Sequence, residues 1–432
     1  MEAAIRRVTS STFVRYNAIA FIGSVAVAAL NYLYYPVIGR LLNPADYGEV
    51  QAITSIYIQA IVFMSVFNIV IISVLNKYED KDTQNRLIAE LEKAAIIITS
   101  VTILVLLFAS SGISVFFRFG SVYPLLLLLI ALGLSVPSTF RLAFLQGNRR
   151  FGPPAISGAI SAGGKLLLGT ALVLIGWQAF GAVLGTVLAQ ALTLGFLVWS
   201  ARRIGWIRPA DFKRVSLPDL KLIRPELYFA SLVLITTICF NLFLSLDILA
   251  VKHWFAPTIA GLYGGIETLS RIVFYISISV AGVLLPTVST LRTAKENRET
   301  FFRSLLLTTC LGLSVLLVFL LFPVQIVTLL MGRKFLVFVG LLPYLGFYTF
   351  LASLINLVNM YFLAQRQWFI ALASGLGLAA TLLILVARHG TPFAVVTSLI
   401  AGAFTTLVLV GAIAWLWPKV KELGGLTRLA TK

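Results

Sequence analysis

Apolar runs of about 20 residues, the length an α-helix needs to cross the hydrocarbon core of a bilayer, recur along this chain from one end to the other. Six can be placed near residues 14–38, 50–75, 94–117, 122–145, 153–175 and 178–200, and six more near 226–250, 259–286, 304–330, 338–363, 368–387 and 392–417. A backbone without water must satisfy its own hydrogen bonds, which a helix does within one segment. With 59% hydrophobic and 12% charged residues and a mean hydropathy of +0.98, the composition lies far from that of a soluble domain. The sequence therefore reads as an all-α integral membrane protein, with twelve transmembrane helices in two pseudo-symmetric six-helix lobes.

The evidence for two lobes is a loose internal repeat. Phe144-Leu145-Gln146-Gly147-Asn148-Arg149-Arg150-Phe151 returns as Phe362-Leu363-Ala364-Gln365-Arg366-Gln367-Trp368-Phe369. Asn43-Pro44 leading to Tyr47 returns as Ala256-Pro257 leading to Tyr263, and the intervals from Pro44 to Pro257 and from Pro124 to Pro343 are nearly the same. Repeated halves are common among membrane transporters. The boundaries read as an N-terminal lobe over 1–205, a linker over 206–223 and a C-terminal lobe over 224–432. Trp206, Ile207, Phe212, Val215, Leu217 and Leu220, set among Arg208, Lys213, Arg214 and Lys221, suit either a short amphipathic helix on the inner membrane surface or an irregular basic loop.

The net charge of +18 would, in a soluble chain, suggest nucleic acid. Its distribution assigns it to topology instead. Both termini and the loops after the even-numbered spans hold most of the 34 Lys and Arg; the opposite side holds Arg40, Arg118, Lys252, Arg333, Lys334 and Arg388, and Lys165 and Arg271 fall within spans. By the positive-inside rule both termini face the cytoplasm of an inner (plasma) membrane, and the basic loops can also touch anionic lipid headgroups. The first span outlasts a signal-peptide core, so an uncleaved helix is preferred to cleavage near Ala26-Val27-Ala28. Residues 76–93 mix both signs and read as a solvated helical extension.

Little here suggests an enzyme. His253 and His389 are the two histidines and Cys239 and Cys310 the two cysteines; they form neither a metal-ligand spacing nor a disulfide framework. No P-loop is present, and paired carboxylates suited to glycoside chemistry are lacking. No cofactor is expected.

Ionisable groups inside a bilayer cost about 2.5–3.5 kcal/mol each at a helix centre on insertion scales, and they mark pathways or paired interiors. Four are candidates: Lys165, Asp247, Glu267 and Arg271. Glu267 and Arg271 are four apart with the acid first, the better orientation for a helical ion pair. Lys165 has no acid on its own helix, so it snorkels, pairs with Asp247 or Glu267 across the lobes, or faces a wet cavity. The small-residue run Ser157–Gly164 before it lets another helix come close. A cationic cavity would suit an anionic, phosphate-bearing substrate. Arg40, Asp46 and Glu49 at the first turn, and Lys252 and His253 at its counterpart, are explained as well by capping as by substrate contact.

Three of these stretches carry a family resemblance. Gly39-Arg40-Leu41-Leu42-Asn43-Pro44-Ala45-Asp46-Tyr47-Gly48, Leu246–Pro257 through Tyr263, and Phe144-Leu145-Gln146-Gly147 with Arg150-Phe151 resemble motifs of the polysaccharide (O-antigen-type) flippase family, within the multidrug/oligosaccharidyl-lipid/polysaccharide exporter superfamily. The resemblance implies alternating access that carries a polyprenyl-pyrophosphate-linked oligosaccharide from the inner to the outer leaflet, with a glycan polymerase or ligase as a further partner. It places Asp247 at the family's acidic position on the seventh helix. Span 1 is uncharged after Arg15, unlike the peptidoglycan-precursor branch, which favours a polysaccharide repeat unit as cargo. Lys165 and Arg271 are then the expected substrate contacts, and Asp247 and Glu267 the charge-balancing or ion-coupling acids. The competing readings are a cation-coupled multidrug exporter, a glycan polymerase or ligase, for which every outer loop is short, and a noncatalytic scaffold.

Overall fold

A computed structural model of the protein describes residues 11–206, 224–290 and 293–424. All of its regular elements are helical among these residues. The linker from 207 to 223, including its expected amphipathic helix, lies outside them. The chain divides into two compact units, Met1–Ala230 and Ser231–Lys432. Among the described residues, nine stretches are long and apolar enough to cross a membrane, and two of them, Pro44–Lys77 and Gly152–Arg203, each contain two α-helices.

The first unit contains α1 (Ser11–Leu41), α2 (Pro44–Ile61), α3 (Met64–Lys77), α4 (Lys81–Phe116), α5 (Tyr123–Gly147), α6 (Gly152–Leu172) and α7 (Gln178–Arg203), with the start of α8 (Arg224–Trp254). The expected second span is thus two helices, interrupted at Val62 and Phe63. Asn43 caps α2: its Oδ1 accepts from the Asp46 N–H at 2.9 Å, its amide donates to Asp46 Oδ2 at 2.7 Å, and Pro44 opens the helix. A proline there forfeits no helical hydrogen bond. Glu49, buried, accepts from the Gly120 N–H at 2.8 Å and so ties this turn to the α4–α5 loop. Asp80 caps α4, and hydrogen bonds from the Thr83 hydroxyl and the Thr83 and Asp82 N–H groups hold its carboxyl below the usual carboxylate range.

The segment 76–93 corrects an expectation. It is helical from Lys81 and exposed or half-buried through Arg86, but from Leu87 to Glu92 it is buried and not a solvated extension. Leu87, Ile88 and Leu91 enter the core cluster with Phe67, Ile71, Phe140 and Phe144, and Glu90 and Glu92 are buried beside them. The mixed charges hid apolar residues at helical spacing, which is what a packed face requires. The start of α8 joins the same cluster through Ala230, and Glu226 accepts from Lys77 at 3.0 Å.

Helices α6 and α7 form a hairpin closed by a π turn, Val173–Trp177, in which Gly176 takes φ 102°. Their closest approach comes just beyond the small-residue run seen in the sequence. A Cβ on Gly185 would lie 2.3 Å from the backbone nitrogen of Gly169. Gly185→Ala is therefore expected to force the pair apart and cost about 1–3 kcal/mol, the usual range for overpacking. Gly163→Ala, which meets nothing within 4 Å, is the control. Equal melting temperatures for the two variants in detergent would refute the close contact.

The second unit contains the rest of α8, α9 (Pro257–Thr290), α10 (Ala294–Leu321), α11 (Pro323–Leu330), a 3₁₀ segment (Arg333–Leu341), α12 (Leu342–Ala364), α13 (Phe369–Ala387) and α14 (Pro392–Gly424). The expected ninth span breaks at Phe322-Pro323. Helix α9 packs on α12, α10 on both, and α13 on α14.

The internal repeat reappears as repeated local geometry. Pro44 and Pro257 each open a helix, as do Tyr123-Pro124 and Leu342-Pro343. At the α5 and α12 ends, Arg149 and Arg366 both adopt left-handed backbone, with φ 56° and 53°. There the Arg150 N–H donates to the Leu145 carbonyl at 2.9 Å and the Gln367 N–H to the Phe362 carbonyl at 3.0 Å. Leu145, not Phe144, therefore corresponds to Phe362. The apparent sequence match was one residue out of register because Phe-Leu occurs at both places.

Candidate functional site

The four ionisable residues singled out by the sequence fall into two clusters, one in each unit. In the first, Lys165 lies near the middle of α6. Its Nζ sits 4.0 Å from the ring centre of Tyr34 and 4.5 Å from that of Tyr35, and it donates toward the Tyr35 hydroxyl at 3.4 Å. The Tyr34 ring can lie there because Gly169, one turn after Lys165, carries no side chain; a Cβ on it would be 3.0 Å from that ring. Tyr34 is held from its far end by donating to the Ala182 carbonyl at 3.0 Å. A lysine between aromatic faces gains about 0.5–2 kcal/mol from the ring quadrupoles.

A cavity of about 190 Å³ opens at this point, lined by Lys165, Tyr34, Tyr35, Tyr57, Thr54 and Thr186 together with aliphatic residues. No carboxylate is among the lining residues. Tyr57 donates to Gln190 Oε1 at 2.9 Å, and the Gln190 amide donates to the Ala131 carbonyl at 3.0 Å, so this ring too is fixed from behind. Lys165 thus borders an aromatic-walled cavity within the first unit.

The second cluster brings together Asp247, Glu267 and Arg271. Arg271 and Glu267 form the ion pair predicted from their spacing, and Arg271 also donates to the Leu244 carbonyl at 3.2 Å. Asp247 accepts from the Ile248 N–H at 2.7 Å and interacts electrostatically with both Arg271 and Glu267. Asp247 and Glu267 are 1% and 2% exposed, whereas the Arg271 side chain is 21% exposed. Two tyrosines that sequence reasoning missed complete the cluster: Tyr348 donates to the Phe243 carbonyl at 2.5 Å, and the buried Tyr263 hydroxyl has no hydrogen-bond partner among the described residues. Tyr263 was visible only as a repeat marker, and Tyr34-Tyr35 only as the tail of a long apolar run.

Two charges not singled out from the sequence as intramembrane prove to be internal. Lys252 lies in the last turn of α8 and is 1% exposed. Arg141 lies inside α5, buried, and its Nη1 meets Glu92 Oε1 at 2.6 Å and the Pro137 carbonyl at 3.3 Å. Its guanidinium lies 5.0 Å over Trp206, whose ring packs edge-on against Phe144 at 4.8 Å. The expected linker thus begins with a docked residue. Asn68, which donates to Gln146 at 3.4 Å, and Asn359, which accepts from Ser374 at 3.3 Å, join neighbouring helices through side-chain hydrogen bonds.

Helices of membrane-crossing length that hold paired charges and a polar-tipped cavity in their interiors define a multi-pass membrane protein with internal polar sites. A family model described as polysaccharide biosynthesis protein matches residues 14–292, and the chain belongs to that family. No curated protein sequence matches it. Its fold is similar to an inward-facing multidrug resistance MATE family transporter of the MOP superfamily, with a TM-score of 0.71 and 12% identity over 92% of this chain and 96% of that one. It is similar to the lipid II flippase MurJ in an inward closed conformation, again with a TM-score of 0.71, at 13% identity over 92% and 87%. A MOP superfamily transporter from Pyrococcus furiosus, noted for the reverse polarity of its binding pocket, gives 0.65 at 14% identity over 93% and 94%.

Proposed function

We propose that the protein is a flippase that moves a polyprenyl-pyrophosphate-linked oligosaccharide, a polysaccharide repeat unit, from the inner to the outer leaflet of the plasma membrane by alternating access, with both termini cytoplasmic. The observation that carries this reading is Lys165 in a cavity without carboxylates, in a chain of the polysaccharide biosynthesis family. A cation desolvated among tyrosines attracts an anion more strongly than it would in water. Arg271, its side chain partly exposed beside Glu267, is the second anion contact, while Asp247 and Glu267 balance its charge or bind a coupling ion. The delivered unit would then be available to a glycan polymerase or ligase.

The shared fold of the MATE transporters keeps a cation-coupled multidrug exporter as the alternative. The acid-rich cluster around Asp247 and Glu267 would serve that reading, but Lys165 would repel a cationic drug from the first unit's cavity. The experiment is leaflet-resolved translocation of a lipid-linked oligosaccharide in reconstituted vesicles. Lys165→Ala and Arg271→Ala are each expected to slow it about tenfold, the effect of losing one charge-assisted contact of about 1.4 kcal/mol. Unchanged rates in both variants would remove these residues from the mechanism.

A further inference from the structure

We infer that the Lys165 cavity is a subsite for a single acidic sugar ring, one bearing a carboxylate, and that it selects cargo by that group and not by the pyrophosphate. The inference rests on the flippase reading and goes further by naming what this cavity holds.

Size comes first. Pockets for drug-sized ligands span roughly 300–1,000 Å³, and this one, at about 190 Å³, is too small for an oligosaccharide. It has room for one ring. Charge comes second. The cavity offers one ammonium, from Lys165, and no second cation or carboxylate among its lining residues. A charge taken from water into such a site is tolerated only when paired. One ammonium matches one carboxylate, whereas a pyrophosphate would bring more negative charge than the site can neutralise.

The walls supply the third argument. Tyr34 and Tyr57 are locked by hydrogen bonds to the Ala182 carbonyl and to Gln190, so their rings are held in place before any ligand enters. Since the Tyr57, Thr54 and Thr186 hydroxyls that line the cavity spend their protons on the protein, each presents only oxygen lone pairs to a ligand. Sugar hydroxyls can donate to those oxygens, and the C–H face of a pyranose can rest on a tyrosine ring. A flat aromatic drug would gain the stacking but leave these acceptors, and Lys165, unused. Rigid tyrosines also give large contact area at low entropic cost.

The test uses two polyprenyl-pyrophosphate disaccharides that differ only in their terminal sugar, glucuronic acid in one and glucose in the other. Their translocation rates are measured in vesicles carrying the full chain. The wild type is expected to move the acidic substrate at least tenfold faster than the neutral one, Lys165→Gln to bring that ratio to about one, and Lys165→Arg to retain most of it. Because the readout is a ratio within one preparation, partial misfolding of a variant cancels. A wild-type ratio near one, or the same ratio in Lys165→Gln as in the wild type, overturns the subsite. If the wild type moves neither substrate, the flippase reading itself fails and the subsite with it.

Discussion

Replacing Arg141 with Met is expected to destabilise the first unit by about 3–5 kcal/mol, the usual cost of leaving one member of a buried ion pair without its partner. Glu92, with its side chain 4% exposed, would face the core cluster with no guanidinium at 2.6 Å. Trp206 would lose its cation–π contact at the same time. The double variant Arg141→Met/Glu92→Leu is expected to recover most of the loss, because an apolar pair of similar volume removes the stranded charge. Thermal unfolding of the detergent-solubilised proteins decides it. If the single variant melts no lower than the double, Glu92 is not stranded and the pair is not structural.

Inverting the charge at Lys165 should have the largest effect on transport. In Lys165→Glu a carboxylate would stand among Tyr34, Tyr35 and Tyr57, facing an anionic cargo. Like-charge juxtaposition costs several kcal/mol, and each 1.4 kcal/mol is tenfold, so the initial flipping rate is expected to fall by about 100-fold or more. Lys165→Arg keeps the charge and is expected to fall far less. The comparison is informative because the two variants differ in sign at one position. Comparable losses in both would mean that packing in the aromatic cage, not charge, is what Lys165 supplies.

The sequence made the membrane helices legible because their signal is length and apolarity, which survive without knowledge of packing. The Glu267–Arg271 pair was legible for a related reason: both partners lie on one helix, and their spacing settles the geometry. What could not be read was long-range. The tyrosine cage depends on Tyr35, 130 residues before Lys165, and no local pattern links them. Arg141 sits near the end of an apolar run and Glu92, 49 residues away, in the mixed-charge stretch 76–93, so neither was read as internal. Their burial follows from α4 and α5 packing along their lengths, which periodicity at a helix end does not report. The breaks at Val62-Phe63 and Phe322-Pro323 were likewise invisible to a method that reads only hydrophobic length.

The coupled acids follow a charge-counting argument. Asp247 and Glu267 share one guanidinium in Arg271 and lie near the Tyr263 hydroxyl, which has no hydrogen-bond partner among the described residues. Such a group carries a spare negative charge when every carboxylate is ionised, and a buried spare charge favours uptake of a proton or a cation. That is the physical basis for giving these acids the coupling role and Lys165 the role of meeting the cargo.

The most direct measurement places purified protein in vesicles whose inner leaflet is loaded with a polyprenyl-pyrophosphate oligosaccharide and follows its exposure to an impermeant oxidant or lectin outside. The account predicts exposure at least tenfold faster than in protein-free vesicles. Exposure no faster than in empty vesicles, in a preparation that instead exports a lipophilic cation, would contradict it.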